Sequence, residues 1–165
     1  MRIGAGYDVH AFVPNRPLIL GGVTIPHTMG LDGHSDADAL IHAITDALLG
    51  AAALGDIGRH FPSSDERWKN APSSVFLRHT LHLLQTNGWR IGNIDAVIIA
   101  ETPKLSPFID AMRQSLAEIL QMPLQDISVK ATTTDGLGFT GRKEGIACSA
   151  VALIESNPSS TVQSD

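Results

Sequence analysis

His34-Ser-Asp-Ala-Asp-Ala-Leu-Ile-His-Ala-Ile-Thr-Asp-Ala-Leu-Leu-Gly-Ala-Ala-Ala-Leu-Gly-Asp56 is the stretch around which the chain is organised. Ser35 with Asp38 three residues later is a capping-box pattern, which predicts a helix beginning near Asp36. Ala37, Leu40, Ile41, Ile44, Ala47, Leu48 and Ala51 recur at three- and four-residue steps and mark a buried face. Gly55 suits the C-terminal cap. Asp38, His42 and Asp46 step by four beside that face as a separate polar stripe. Carboxylates flanking a histidine point to a metal ligand or to a titrating group with an orienting partner. Asp46, one turn after His42, is placed to accept the second imidazole N–H.

Working outward, Arg2 to Phe12 reads as a strand. Gly4 and Gly6 are unusual there and allow another backbone or a ligand to approach closely. Asp8 and His10 are two apart, so they project from one face. Together with His42 they offer two nitrogens and one oxygen. That set suits zinc with a fourth position left open, although on spacing alone an ordinary Asp-x-His strand is the simpler reading. An EF-hand over Asp32 to Asp38 fails, because its glycine and its twelfth-position glutamate are missing. Leu18 to Ile25 reads as a hairpin turning at Gly21-Gly22, and His27 to Gly33 as a loop.

Beyond the helix, Asp56 to Pro72 is loop with one short helical turn. Ser73 to Asn87 is a second helix stopped by Gly88, and Arg90 to Glu101 is a central strand. Pro107 opens a third helix with Ile109, Met112, Leu116, Ile119 and Leu120 on one side. Asp126 to Thr133 alternates as a half-covered strand, and Gly145 to Glu155 is the last strand. Residues 1–156 read as one α+β domain, a mixed sheet with helices on one face in a ferredoxin-like arrangement. The polar residues 157–165 read as a disordered tail.

Three other segments carry chemical options. His34-Ser35 stands at the expected helix start, where free N–H groups attract anions; Ser35 as a plain cap is the simpler reading. Lys130-Ala-Thr-Thr-Thr-Asp135 with the following Gly-rich loop to Arg142 can cradle a diphosphate, and Asp135 can hold Mg²⁺ through waters. It can equally be a strand end with a mobile loop. Asp56-Ile57-Gly58 and Phe61-Pro62-Ser63-Ser64-Asp65 can hold a ribose or polyol, and Ala100 to Ser106 a base, or each can be a connecting loop. His79 and His82 read as solvent-facing, and Cys148 as a core residue.

The chain has 165 residues, 43% hydrophobic and 18% charged, with a net charge of −5. That balance disfavours nucleic acid and anionic membranes as partners. One cysteine fits a reducing compartment. Without a membrane-length apolar run or a leader pattern, the expected location is the cytoplasm.

Taken together the segments resemble the 2-C-methyl-D-erythritol 2,4-cyclodiphosphate synthase family. The resemblance is carried by residues 6–12, residues 33–40, His42 with Asp46 through Gly58, Pro103-Lys104, and Lys130 to Thr134 with Gly138 to Arg142. It implies a homotrimer with active sites between subunits and a cytidine diphosphate substrate that cyclises with loss of CMP. It implies zinc on Asp8, His10 and His42, and Mg²⁺ or Mn²⁺ on Asp135. His34 and Thr133 would steady the transition state. Ser35, Asp56 to Gly58 and Phe61 to Asp65 would bind substrate, Asp56 through ribose or erythritol hydroxyls. Ala100, Glu101, Thr102, Pro103, Lys104, Leu105 and Ser106 would meet the cytosine, and Thr132, Thr134, Phe139 and Arg142 would lie near the phosphates. Asp135 and Ser63-Ser64 depart from the glutamate and the Asp-Thr usual in the family. A non-catalytic alternative is a trimer holding a prenyl diphosphate in a central channel near Arg142 and Glu144.

Overall fold

The computed structural model describes residues 1–157. A two-residue period, with Gly4, Gly6, Asp8 and His10 on one face and Ile3, Tyr7 and Val9 on the other, runs along a long first strand, β1 (Arg2–Pro14). A hairpin of β2 (Leu18–Leu20) and β3 (Val23–Ile25) follows. It turns at Gly21 and Gly22, both with positive φ, as a two-residue primed turn requires. β4 (Met29–Leu31), inside the segment read as a loop, pairs with the end of β1. The remaining elements are α1 (Ala39–Ala52), the one-turn α2 (Ile57–His60), α3 (Ser73–Thr86), β5 (Trp89–Ile99), α4 (Ile109–Leu120), β6 (Ile127–Thr132), the one-turn α5 (Gly138–Gly141) and β7 (Gly145–Ser156). Asn157 donates its backbone N–H to the Gly88 carbonyl (2.8 Å). The rest of the expected tail, 158–165, lies outside the described residues.

The main sheet runs β4-β1-β7-β5-β6, antiparallel except for the parallel β5–β6 pair. This mixed sheet corrects the ferredoxin-like expectation, whose chain order is βαββαβ. Here α4 crosses from β5 to β6, and β7 then inserts between β5 and β1. β5 is central in this order: it is bonded on both edges, to β6 and β7, and covered on its faces, with Ile94, Ala96 and Ile98 buried and Val97 and Ile99 half-buried.

α1 lies along β1 and β7, with its apolar stripe fully buried. Gly4 and Gly6 make this possible. A Cβ on Gly4 would sit 2.0 Å from the Ala47 carbonyl, and one on Gly6 2.0 Å from the Ala43 carbonyl. Strand and helix therefore meet backbone to backbone. Asp8 and His10 continue the same face of β1 toward the start of α1. The opposite face exposes Ile3 (71%), Tyr7 (59%), Val9 (39%) and Val151 (46%).

Both ends of α1 differ from expectation. The helix starts at Ala39 and its N-cap is Asp38 rather than Ser35, because Ala37 adopts a left-handed conformation that no helix continues through. The C-cap is Ala53, also left-handed, and not Gly55. The fully buried Asp38 carboxylate accepts from Ile41 N (3.0 Å), Gly21 N (2.9 Å) and Gly22 N (2.7 Å), so one side chain caps α1 and pins the β2–β3 hairpin. Burial pushes its pKa up to about 6, against the pull of those backbone donors.

Because the folded-state value lies above the unfolded one, this group's stabilising contribution is full below about pH 4 and falls as pH rises through about 6. Wild type should accordingly gain up to about 3 kcal/mol relative to Asp38→Asn on acidification from pH 7 to 4. Paired denaturant titrations at the two pH values measure this; a pH-independent difference would mean that Asp38 does not titrate in the fold.

Candidate active site

β1 and α1 bring three ligand-type atoms to one point. Asp8 Oδ2 lies 2.9 Å from His10 Nε2 and 3.0 Å from His42 Nδ1, and the two ring nitrogens are 3.2 Å apart. Two ligands of a tetrahedral zinc are about 3.3 Å apart, given metal–nitrogen distances near 2.0–2.1 Å. The triangle is thus close to the base of such a site. The far nitrogen of His10, Nδ1, faces the Asp32 carbonyl at 2.5 Å. A carbonyl only accepts, so Nδ1 carries the proton and Nε2 turns its lone pair inward when the ring is neutral. Burial works to raise the Asp8 carboxyl pKa, but contact with the His10 and His42 imidazoles holds it well below the usual carboxylate range. The His10 imidazole is raised, because the Asp8 carboxylate and the Asp32 carbonyl outweigh burial. Protons and a cation compete for the same three atoms, and the donor set fits a divalent metal.

Asp46 does not hold His42. Its Oδ1 accepts from Ile57 N (2.7 Å), one turn along the helix, where it fixes the entry to α2; burial raises its carboxyl pKa. The partners of His42 Nε2 are Ser73 Oγ (2.9 Å) and Ser35 Oγ (3.2 Å). Ser73, the first residue of α3, gave no signal in the sequence beyond a helix start.

The helix-start anion site read at His34-Ser35 is also corrected. α1 begins four residues after Ser35, Asp38 already occupies the Ile41 N–H, and the Ser35 hydroxyl accepts from Ala37 N (3.1 Å). Arg16, not singled out in the sequence, holds this loop by donating to the Gly33 (2.6 Å) and Ser35 carbonyls.

Beside the triad lies a cavity of about 210 Å³. His34, Ser35, His42, Ile57, Gly58, Phe61 and Ser63 line it, together with Trp68 and Phe76, which sequence reading missed. Phe61 stacks on Phe76 (4.5 Å between centroids) and meets Trp68 edge-on (5.3 Å), which makes an aromatic wall. His34 Nε2 lies 3.2 Å from the Asp65 carbonyl. The Asp65 carboxylate pairs with Arg67 (2.6 Å), while Pro62 and Ser64 are exposed and do not line the cavity. Asp56 caps α2 through Arg59 N (2.8 Å) and is exposed.

A second cavity of about 300 Å³ lies where β5 and β6 end. Ala100, Glu101, Pro103, Lys104, Leu105 and Ser106 line it with Ala131, Thr132 and Thr133; Thr102 does not line it, and its bond to Pro103 is cis. The two cavities share no lining residue. Asp135, in the left-handed region, is exposed and 3.3 Å from Thr133 Oγ1. Thr134 and Phe139 line a third hollow beside Tyr7. Arg142 pairs with Glu144 (2.8 Å). Sequence reading grouped residues 130–142 as one cradle; the fold spreads them over two hollows and an exposed turn. As expected, His79 and His82 are exposed and Cys148 is buried in the core.

Comparison with known proteins shows the family. The chain matches the YgbB family over residues 1–155. It is 59% identical over 154 residues to the 2-C-methyl-D-erythritol 2,4-cyclodiphosphate synthase of Pseudomonas putida (strain W619), covering 93% of this chain and 98% of that one. Among solved structures it resembles the bifunctional IspDF from Campylobacter jejuni (TM-score 0.91, 46% identity). The match covers 94% of this chain but only 42% of that longer one. It also resembles a CDP-bound 2C-methyl-D-erythritol-2,4-cyclodiphosphate synthase (TM-score 0.86, 39% identity, 93% of this chain and 100% of that one). Agreement of this depth over nearly the whole length leaves one reading of its descent: the chain belongs to the YgbB family.

Proposed function

We propose that this chain converts 4-diphosphocytidyl-2-C-methyl-D-erythritol 2-phosphate to 2-C-methyl-D-erythritol 2,4-cyclodiphosphate with release of CMP. This is a cyclising phosphorus–oxygen lyase step of the non-mevalonate isoprenoid pathway. The observation that carries the reading is the convergence of Asp8, His10 and His42 beside an aromatic-walled cavity, in a chain whose relatives bear that enzyme's name.

The reaction brings a 2-phosphate oxygen onto the β-phosphorus and breaks the bond to the CMP oxygen. Two anions must meet, so neutralisation and alignment dominate the barrier. Asp8, His10 and His42 would hold zinc, which when bound supplies a Lewis acid for phosphate oxygens. Asp135 would hold Mg²⁺ or Mn²⁺ beside the diphosphate; being one methylene shorter than the family's glutamate, it reaches less far. His34 and the Thr133 hydroxyl would donate to developing charge, with Ser35, Thr132, Thr134, Phe139 and Arg142 around the phosphates. Asp56, Ile57, Gly58 and the 61–65 loop would position the erythritol or ribose hydroxyls. Residues 100–106 would close on cytosine, with the Lys104 ammonium toward phosphate.

Residues 1–156 act as one domain in this reading, and a homotrimer completes the site. The apolar face bearing Ile3, Tyr7, Val9 and Val151 needs a cover, and a neighbouring copy would bring its second cavity to this copy's triad. A prenyl diphosphate would then fit a central channel near Arg142 and Glu144. A cytoplasmic setting completes this reading; separately, among the described residues no helix is long and apolar enough to cross a membrane.

Turnover should release one CMP per substrate consumed, with no free phosphate and no solvent oxygen in the cyclic product. Mass spectrometry in ¹⁸O-water checks this, and stoichiometric incorporation would replace cyclisation by hydrolysis.

A further inference from the structure

If the triad holds a metal, as read above, the way the fold holds the His42 ring decides which nitrogen can ligate it. His42 is 9% exposed and Ser73 fully buried, so the contact between His42 Nε2 and Ser73 Oγ (2.9 Å) is shielded from water. The direction of that hydrogen bond is set by Asp36. One Asp36 oxygen takes the Ser73 hydroxyl proton in a short hydrogen bond, and the other accepts from the Ser73 backbone N–H (3.0 Å). With its proton committed to a carboxylate, Ser73 Oγ presents only lone pairs to the imidazole. Nε2 must then be the protonated nitrogen, and Nδ1, which faces Asp8 and His10, is left with its lone pair inward. Ser35 Oγ is more distant from Nε2 at 3.2 Å. It also accepts from Ala37 N, and no carboxylate orients it in the same way. α3 has no side-chain cap from its own Pro72, so Asp36 holds both the start of that helix and the rotamer of Ser73.

We propose that Ser73, oriented by Asp36, is a positioning residue for the metal centre: a carboxylate–hydroxyl–imidazole relay that selects the His42 tautomer able to ligate a cation through Nδ1.

The test uses the full chain with zinc alone as the probe. Wild type should bind zinc. Ser73→Ala should weaken zinc binding about 10- to 100-fold in chelator competition, the range for losing such an outer partner. In the zinc-loaded, ¹⁵N-histidine-labelled protein, the His42 Nε2–H resonance should exchange faster with water in the variant. The metal-free melting temperature should change little, because Asp36 can still take the residue-73 backbone N–H. A folded Ser73→Ala with zinc affinity within twofold of wild type overturns the proposal, and the two serines would then merely pack. Should Ser73→Ala fail to fold, Asp36→Asn decides. It keeps one acceptor oxygen, so a loss of at least about threefold supports the relay and an unchanged affinity overturns it. Wild type failing to bind zinc is a different failure: it removes the metal reading, and this inference with it.

Discussion

His42→Ala should lose its bound metal and its turnover together. The side chain supplies one of three converging ligand atoms, and nothing else on α1 reaches that point; Asp46, the nearest carboxylate along the helix, is engaged with Ile57 N. Metal content should fall from about one equivalent to under about a tenth, since two remaining ligands hold zinc poorly at neutral pH. Turnover should drop by about 10³-fold, as a Lewis acid contributes several kcal/mol to a reaction between anions. The fold should survive, because the rest of the apolar stripe of α1 stays buried against β1 and β7. Elemental analysis, a circular dichroism melt and a CMP-release assay on one preparation decide the matter. A folded, metal-free variant working at the wild-type rate would mean the triad is not part of the chemistry.

The second large effect is on packing. Gly6→Ala adds one methyl whose carbon would lie 2.0 Å from the Ala43 carbonyl oxygen and 2.8 Å from Ala47 N. Both are backbone atoms of α1, so no rotamer change relieves the clash and the helix must move away from the strand. The expected cost is about 3 kcal/mol or more, a sizeable share of a typical domain's stability. Because β1 carries Asp8 and His10 while α1 carries His42, the same displacement should weaken metal binding. Gly50→Ala is the control. A Cβ there meets nothing within 4 Å and the helix continues past it, so it should stabilise by about 0.5–1 kcal/mol. Denaturant midpoints should move in opposite directions for the two variants; a neutral Gly6→Ala would show that helix and strand are not held in backbone contact.

Much of this was legible from local spacing. The two-residue period of a strand placed Asp8 and His10 on one face, and the 3.6-residue period placed the stripe of α1. Gly4 and Gly6 announced a close approach, which proved to be that helix. The hairpin at Gly21-Gly22 followed from turn chemistry alone. Errors arose where a polar side chain had more than one geometrically allowed partner. Asp38 reads locally as the third helical residue of a capping box, but the hairpin's two N–H groups draw its carboxylate out of the helix and make it the cap. Asp46 reads as a partner for His42, but the ring turns Nδ1 toward β1, which aims Nε2 at the start of α3.

The sequence by itself determined the faces: which residues of each element are apolar, which carry ligand atoms, and where backbones can touch. These depend on side-chain periods set by the backbone's own geometry, within a few residues. Only the tertiary structure decided who meets whom across the chain: β7 between β1 and β5, Ser73 against His42 from 31 residues away, and the 100–106 cavity apart from the metal triad. Such pairings depend on the path of the whole chain and on which of several allowed partners each buried polar group meets, and no local period encodes either.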